Sequence, residues 1–366
     1  MLKFYLSLPL HHIAQQRYGF LPCGHLAKPF AGYLGQAKCQ QGFSLLELLV
    51  VISLLGIVGL TATTYIIDTG EIKRQDETTQ RWDAIRKAII GEPNLSLNGS
   101  PYVSGYVADM GRLPSNIQEL FVQGSQPAWT EINLYTAGTG YSAALGGGWR
   151  GPYLYTAGSR FYRDGWNNED GNAANDTINF GWNVTLTGTA PDYTDIAIQS
   201  LGDDNLTGGI EFNEDFPSNA AQNMVSYNEW TLSTAPITFN INFNKAVTSI
   251  PLDTSSSLQS FELRIYRYVD DGGNTADIND VDITSADSTF TLTPNATSAP
   301  TQTLTPTANL PVGRVAAVIW CTNNTPTVTT DDAIYDGDCD TTYQHAPVYF
   351  TLNHNTSQIT ITWNLP

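Results

Sequence analysis

The sequence predicts a mixed fold in which one long N-terminal helix packs on an antiparallel sheet and an all-β sandwich follows. Two patterns support this prediction. Residues 43–90 are first apolar and then amphipathic at helical spacing, whereas residues 231–366 alternate apolar and polar side chains in short segments separated by Gly, Asn, Asp, Thr and Pro. The chain has 366 residues, which is enough for about two domains of roughly 150 residues each.

The charge distribution separates the N-terminus from the rest of the chain. The sequence has 35 acidic and 17 basic residues and a net charge of −18. Four of the bases and none of the acids lie in residues 1–42, so the remainder carries 13 bases against 35 acids. Phosphate backbones and anionic lipid headgroups repel so acidic a chain. We therefore expect no nucleic-acid partner.

An apolar segment follows this basic region directly. Residues 43–67 contain one charged side chain, that of Glu47, and are long enough to span a bilayer. The preceding Lys and Arg residues place the N-terminus in the cytoplasm. A carboxylate within an apolar span costs about 2.5–3.5 kcal/mol on insertion scales, so Glu47 needs a cationic partner. Cleavage of the Gly42–Phe43 bond would create one, because the new α-amine of Phe43 could pair with Glu47 of a neighbouring chain.

The segment from Gly42 to Glu47, Gly-Phe-Ser-Leu-Leu-Glu, together with the apolar helix after it resembles the start of type IV pilin and type II secretion pseudopilin precursors. The resemblance implies that a prepilin peptidase removes residues 1–42 as a leader, cleaves after Gly42 and N-methylates Phe43. It implies that residues 43–67 form a transmembrane helix and later the filament core, where Glu47 serves assembly. Implied partners are other pilin or pseudopilin subunits and an inner-membrane assembly platform.

The same resemblance gives a location and a head domain. It implies a single-pass protein of the bacterial inner membrane, with a cytoplasmic N-terminus and a periplasmic C-terminus, that later enters a pilus or pseudopilus. Residues 68–230 are the predicted α+β pilin-like head, which begins with the second half of the helix. Within it, Asp109–Leu120 resembles the Asp-Asn-Gly-Arg-Tyr-Pro segment of major pseudopilins, and Ser115 is the expected cap of a short helix.

A loop at residues 200–215 resembles the calcium-binding loop of pseudopilins. The resemblance implies calcium as a cofactor, Asp204 and Asp215 as side-chain ligands and the carbonyl of Leu201 as a further ligand; Asp203 is an added candidate. Ca²⁺ takes 6–8 oxygen ligands, and a Gly-rich loop turns tightly enough to direct carboxylates and carbonyls to one point. The alternative is an exposed acidic turn, which Gly and Asp favour without any metal.

Residues 231–366 form the predicted sandwich domain, which the resemblance does not cover. Period-two alternation predicts six or seven strands there. Cys321 and Cys339 are an isolated pair in an extracytoplasmic segment and predict one disulfide. Two acidic loops, near Asp270 and near Asp336, are predicted to be solvated turns, with calcium sites as the alternative.

Little in the sequence indicates an enzyme. The processed chain has only His345 and His354 and contains no nucleophile elbow, phosphate loop or zinc spacing. Trp149, Trp166 and Trp182 could line a sugar-binding surface, although aromatic residues in a head packed on a helix are more often part of the core.

These observations predict a pilin-like structural subunit of a type IV pilus or a type II secretion pseudopilus. Three roles stay open: a minor or tip subunit whose C-terminal domain binds a surface ligand, a repeating shaft subunit, and a membrane-tethered sugar-binding or hydrolytic surface protein that uses the helix as its anchor. The bulk of the chain favours the tip, because a repeating subunit must clear its neighbours at every step.

Overall fold

A computed structural model of the protein describes residues 44–92, 96–97, 100–101, 103–133, 144–155, 162–232, 237–243, 259–273, 281–292, 301–304, 309–321, 333–335, 347–353 and 359–365. Contacts divide the chain into two units, Met1–Leu60 and Thr61–Pro366. This division does not test the predicted domain boundary between residues 230 and 231, which stays a prediction.

The helices of the described residues are one long helix and three short ones: α1 (Leu45–Ile90), α2 (Tyr106–Met110), α3 (Ala173–Asn179) and α4 (Tyr227–Trp230). The single long N-terminal helix is confirmed. It ends at Ile90 because Gly91 has φ +72°, where a Cβ would lie 2.1 Å from the Ser104 carbonyl oxygen. Only glycine fits this left-handed position without strain.

The strands are, in chain order, β1 (Ser96–Leu97), β2 (Ser100–Pro101), β3 (Thr130–Asn133), β4 (Ala144–Gly147), β5 (Asn183–Thr189), β6 (Asp192–Gln199), β7 (Thr231–Leu232), β8 (Ile237–Phe243), β9 (Gln259–Tyr268), β10 (Val281–Leu292), β11 (Gln302–Leu304), β12 (Leu310–Pro311), β13 (Gly313–Cys321), β14 (Ala333–Ile334), β15 (Val348–Leu352) and β16 (Ile359–Leu365). The pairs β1–β2, β3–β4, β5–β6 and β7–β12 are antiparallel.

The second half of α1 packs on the β5–β6 hairpin. Ile85 and Ile89 are fully buried in one core cluster with Ile196 and Ile198 of β6. The Trp82 indole N–H donates to the Ile198 carbonyl at 2.8 Å, which fixes the helix against the strand. The sequence therefore predicted this helix face correctly.

Two sheets enclose a second core, which gives the C-terminal half its sandwich-like character. One sheet has the order β10-β9-β13-β14, with β15 also paired to β13, and the other has the order β11-β8-β16. Phe239 of β8 packs with Leu263, Ile265 and Val315 of the larger sheet. Within these sheets β8 and β16 run parallel, a departure from the predicted antiparallel sandwich. The long connection between β8 and β16 allows β16 to return beside β8 in the same direction.

The opposite face of the larger sheet is covered by the β3–β4 hairpin. Ile132 and Leu145 of the hairpin are buried against Tyr268, Ala316 and Trp320. Side chains of β9 and β13 therefore alternate between two apolar layers, and this accounts for the nearly continuous burial of β13.

Two local predictions are wrong. The short helix over Ile117–Leu120 is a 3-10 turn capped by Asn116, whose side chain accepts from the Glu119 N–H, and Ser115 does not cap it. Asp270 is not in a solvated turn: its side chain is 1% exposed and pairs with Arg112 at 2.8 Å. Asp336 and the rest of the second acidic loop lie outside the described residues.

Candidate functional site

The first turns of α1 present apolar side chains to the surroundings. Leu45, Leu46 and Leu60 are 81%, 74% and 71% exposed. Ser44 caps the helix, because its hydroxyl accepts from the Glu47 N–H at 3.1 Å. Glu47 therefore lies in the first turn, where the helix dipole favours a carboxylate. A contiguous exposed apolar surface of this kind marks a contact site for membrane or protein.

Other predictions for this segment find less support. Gly42 and Phe43 lie outside the described residues, so cleavage and methylation there stay predictions. Among the residues that the structure describes, no helix combines the length and the apolar character needed to cross a bilayer. The transmembrane span predicted over residues 43–67 is thus not supported.

The predicted calcium loop leaves the end of β6 and closes on itself. Ser200 and Phe216 form the neck, with each backbone N–H donating to the other residue's carbonyl, at 2.8 and 2.9 Å. Gly202 and Gly209 both have positive φ, and a Cβ on either would lie within 2.6 Å of the Asn213 carbonyl oxygen. The glycines therefore permit the close approach that folds the loop around Asn213.

The predicted ligands differ in their surroundings. Asp215 is buried; its Oδ2 accepts from the Gly208 N–H at 3.0 Å, whereas its Oδ1 is buried without a hydrogen-bond partner. Asp204 is exposed and its Oδ1 accepts from the Leu206 N–H. Asp203 lies 3.5 Å from Arg74 and so pairs with a cation. Leu201 is partly buried within the same loop.

These surroundings bear on whether the loop suits a metal. No group of three or more His, Cys, Asp and Glu side chains within the described ranges could hold a metal ion by itself. A site here would need Asp204, Asp215 and several carbonyls, a donor set that Ca²⁺ accepts. The unpartnered Oδ1 of Asp215 is the observation that fits such an ion, because a buried carboxylate oxygen without a partner is costly.

A second loop supports the first through hydrogen bonds. Asn168 donates to the Gly202 carbonyl at 2.8 Å, and Asp164 accepts from both Asn168 and the Ser200 hydroxyl. Arg163 donates a hydrogen bond to the Asn168 carbonyl and forms a bidentate salt bridge with Asp176. Hydrogen bonds from Arg163 lower the pKa of the Asp176 carboxyl below its usual value. Nothing in the sequence indicates this chain of contacts.

A buried polar cluster joins α2 and the residues after it to β9 and the turn that follows it. Arg112 pairs with Asp270 at 2.8 Å and with Glu119 at 2.9 Å. Arg267 of β9 donates to the carbonyls of Val107 and Ala108 in α2, both at 3.1 Å. Sequence reasoning missed the cluster, although Arg112 lies within the pseudopilin-like segment.

The tryptophans proposed for a sugar surface do not form one. Trp182 is buried in the head core. Trp149 packs against that core and donates to the Glu119 carbonyl at 2.9 Å. The ring of Trp166 lies beneath the Arg74 guanidinium, 5.7 Å from ring centre to cation.

The structure describes one of the two cysteines that were predicted to form a disulfide. Cys321 ends β13, is buried and is disulfide-bonded. Cys339 lies outside the described residues, as do His345 and His354. The pairing of Cys321 with Cys339 stays a prediction.

Comparison with known proteins finds one match. The chain matches no curated protein and no solved structure. Residues 37–63 match the family model of the prokaryotic N-terminal methylation motif, a range that contains Gly42, Phe43 and Glu47. The chain thus carries the signature of type IV pilin and pseudopilin precursors.

Proposed function

We propose that the protein is a structural subunit of a type IV pilus or type II secretion pseudopilus, and that it occupies a minor or tip position. The observation that carries the proposal is the methylation motif at residues 37–63. This motif implies processing by prepilin peptidase, anchoring in a membrane and assembly with other pilin subunits. The exposed apolar side chains of α1 after Ser44 support assembly through this helix.

The fold of the head supports the same role. A long helix whose second half is buried on an antiparallel hairpin is the arrangement proposed for a pilin-like head. In this proposal the N-terminus starts in the cytoplasm, the head lies in the periplasm, and an inner-membrane assembly platform extracts the processed subunit.

The C-terminal half supports a tip position. Arg112 and Arg267 connect residues 231–366 to the head through buried contacts, so this bulk would accompany the head into a filament. A subunit repeated along a shaft must clear its neighbours at each step, whereas a tip subunit must do so once. We further propose that these residues bind a surface ligand and that the protein is not an enzyme.

Calcium belongs to the proposal as a structural ion. It would bind in the loop of residues 200–215, held by Asp204, Asp215 and backbone carbonyls including that of Leu201. The unpartnered Asp215 Oδ1 supports this assignment. The ion pair between Asp203 and Arg74 argues against Asp203 as a ligand.

Two measurements on sheared filaments test the role. Mass analysis of the mature chain should find N-methyl-Phe43 as its first residue, and a chain that still begins before Gly42 contradicts the proposal. Quantitative mass spectrometry should then find few copies of this protein for each filament. Copies in proportion to filament length would show a shaft subunit.

A further inference from the structure

A cavity of about 450 Å³ lies between the β3–β4 hairpin and strand β15. Its volume falls within the range of about 300–1,000 Å³ that small-molecule sites occupy. The lining residues that matter below come from the hairpin and the residue before it, from β13 and from β15: Trp129, Glu131, Leu145, Arg314, Tyr349 and Thr351.

The register of the sheet explains why these side chains converge. Arg314 of β13 is the cross-strand partner of Thr351, and Tyr349 lies two residues before Thr351 on the same face. This face is the one that the hairpin covers further along β13, at Ala316 and Val318. The cavity therefore lies on this covered face, between the described residues of the hairpin and β15.

The rings of Trp129 and Tyr349 are held in place. The Tyr349 hydroxyl donates to the Ala144 carbonyl at 2.9 Å. The Trp129 ring lies so close over Gly146 that a Cβ there would be 2.4 Å from its Cζ2 atom. The Trp129 backbone N–H also donates to the Trp149 carbonyl at 3.0 Å. Such fixed rings lose little conformational entropy when a ligand stacks on them.

The polar groups of the cavity are balanced in charge. Glu131 supplies acceptors and Arg314 supplies donors, and both side chains lie at the exposed rim. The Thr351 hydroxyl can donate or accept. One acid and one base leave no net charge at the site, and the chain as a whole is strongly acidic, with a net charge of −18. Both facts disfavour phosphate-bearing and other anionic ligands.

We infer that this cavity binds a neutral carbohydrate. A sugar ring has an apolar C–H face, which suits the fixed Trp129 and Tyr349 rings, and a periphery of hydroxyls, which suits Glu131, Arg314 and Thr351. The site differs from the tryptophan surface expected from the sequence, because none of Trp149, Trp166 and Trp182 lines it. Carbohydrate binding in this cavity does not depend on filament assembly. An experiment can therefore disprove the carbohydrate site without disproving the proposed pilin role, and the reverse also holds.

Saturation-transfer NMR on the full mature chain tests the inference. The protein is held in a zwitterionic detergent, because maltoside and glucoside detergents would themselves occupy a sugar site. The probes are maltotriose, cellotriose and triacetylchitotriose, with trialanine as a peptide probe. We expect transfer to at least one trisaccharide and none to trialanine.

Variants then assign the signal to the cavity. Trp129→Ala and Arg314→Gln should each weaken trisaccharide binding by at least about tenfold, since the first removes the ring on which the sugar stacks and the second removes the charged hydrogen-bond donor of the cavity. Arg314 is exposed, so its variant should fold normally. Tyr155→Ala, which removes an aromatic ring that is 82% exposed and outside the cavity, is the matched control and should bind as the parent does.

Three outcomes would overturn the inference. The first is no transfer to any of the three trisaccharides. The second is trisaccharide binding that survives unchanged in both Trp129→Ala and Arg314→Gln, which places the sugar elsewhere. The third is transfer to trialanine alone, which identifies a peptide site.

Discussion

The Arg112 guanidinium and the Asp270 carboxylate lie 2.8 Å apart although 158 positions separate the two residues in the chain. Both side chains are almost completely buried, at 7% and 1% exposure. The pair is also supported by the backbone, since the Asp270 N–H donates to the Met110 carbonyl at 2.8 Å. Buried charges persist only where such partners offset the loss of hydration, so this contact joins the turn after α2 to the end of β9.

Replacing Asp270 should destabilise the protein strongly. Asp270→Asn removes one partner and leaves Arg112 buried, which costs about 3–5 kcal/mol in comparable pairs. We expect the lower end of that range because Glu119 still pairs with Arg112. Urea unfolding of the mature chain measures the loss. Asp271→Asn, at the exposed neighbouring position, is the control and should change the free energy of unfolding little; equal losses in both variants would contradict a specific role for the pair.

Acid stability should depend on Asp176. Hydrogen bonds from Arg163 lower the pKa of this carboxyl in the folded protein, so the pair stabilises the fold above the unfolded pKa of about 3.9 and the effect is lost as pH falls through the folded pKa. Asp176→Asn should therefore cost about 1–2 kcal/mol at pH 7 and clearly less at pH 3. Unfolding curves at both pH values check this, with the exposed Asp192→Asn as control. A cost independent of pH would refute the assignment.

The sequence predicts local structure well where one periodicity dominates. The alternation of Ile237, Phe239 and Ile241 identifies β8, and all three side chains are buried in the sandwich core. In the same way, the helical spacing of Ile85 and Ile89 identifies the buried face of α1. A single period fixes which side of an element is apolar, and the core follows from it.

Contacts between distant segments could not be predicted in this way. The sequence around Asp270, Asp-Asp-Gly-Gly, has the composition of a solvated turn, and nothing near it indicates that Arg112 will bury its carboxylate. The parallel pairing of β8 with β16 likewise depends on the path of the whole intervening chain. The cavity beside Trp129 arises only when β15 pairs with β13 next to the hairpin.

Calcium should raise the melting temperature of the mature chain, because a ligand that binds only the folded state stabilises it by about 2.7 kcal/mol at 100 times its Kd. The double variant Asp204→Ala/Asp215→Ala should lose the response to added calcium. Asp203→Asn should keep it, since that carboxylate faces Arg74. Differential scanning fluorimetry with calcium, with magnesium and with chelator measures the response. If the double variant responds to calcium as the parent does, the ion binds outside the loop of residues 200–215.

Glu47 should matter for assembly more than for folding. Its carboxylate lies in the first turn of a helix whose apolar side chains are exposed, and the α-amine of a neighbouring Phe43 is its proposed partner. Glu47→Ala should reduce incorporation into filaments by about tenfold, equivalent to about 1.4 kcal/mol, while the amount of membrane-associated protein stays the same. Asp76→Ala, at an exposed position later in the same helix, is the control. Cross-linking of sheared filaments measures incorporation, and an undiminished yield for Glu47→Ala would exclude the pairing.

The disulfide partner of Cys321 should be Cys339. Processing after Gly42 would remove Cys23 and Cys39, which leaves Cys339 as the one other cysteine of the mature sequence. The bond would close a loop of 17 residues and stabilise the fold by about 3 kcal/mol in the chain-entropy model. Cys321 sits at the buried end of β13, so the bond would tie the following acidic segment to a rigid strand. Peptide mapping of the unreduced mature protein should recover the two cysteines in one linked peptide. Recovery of Cys339 as a separately alkylated peptide would show that Cys321 is bonded to another thiol.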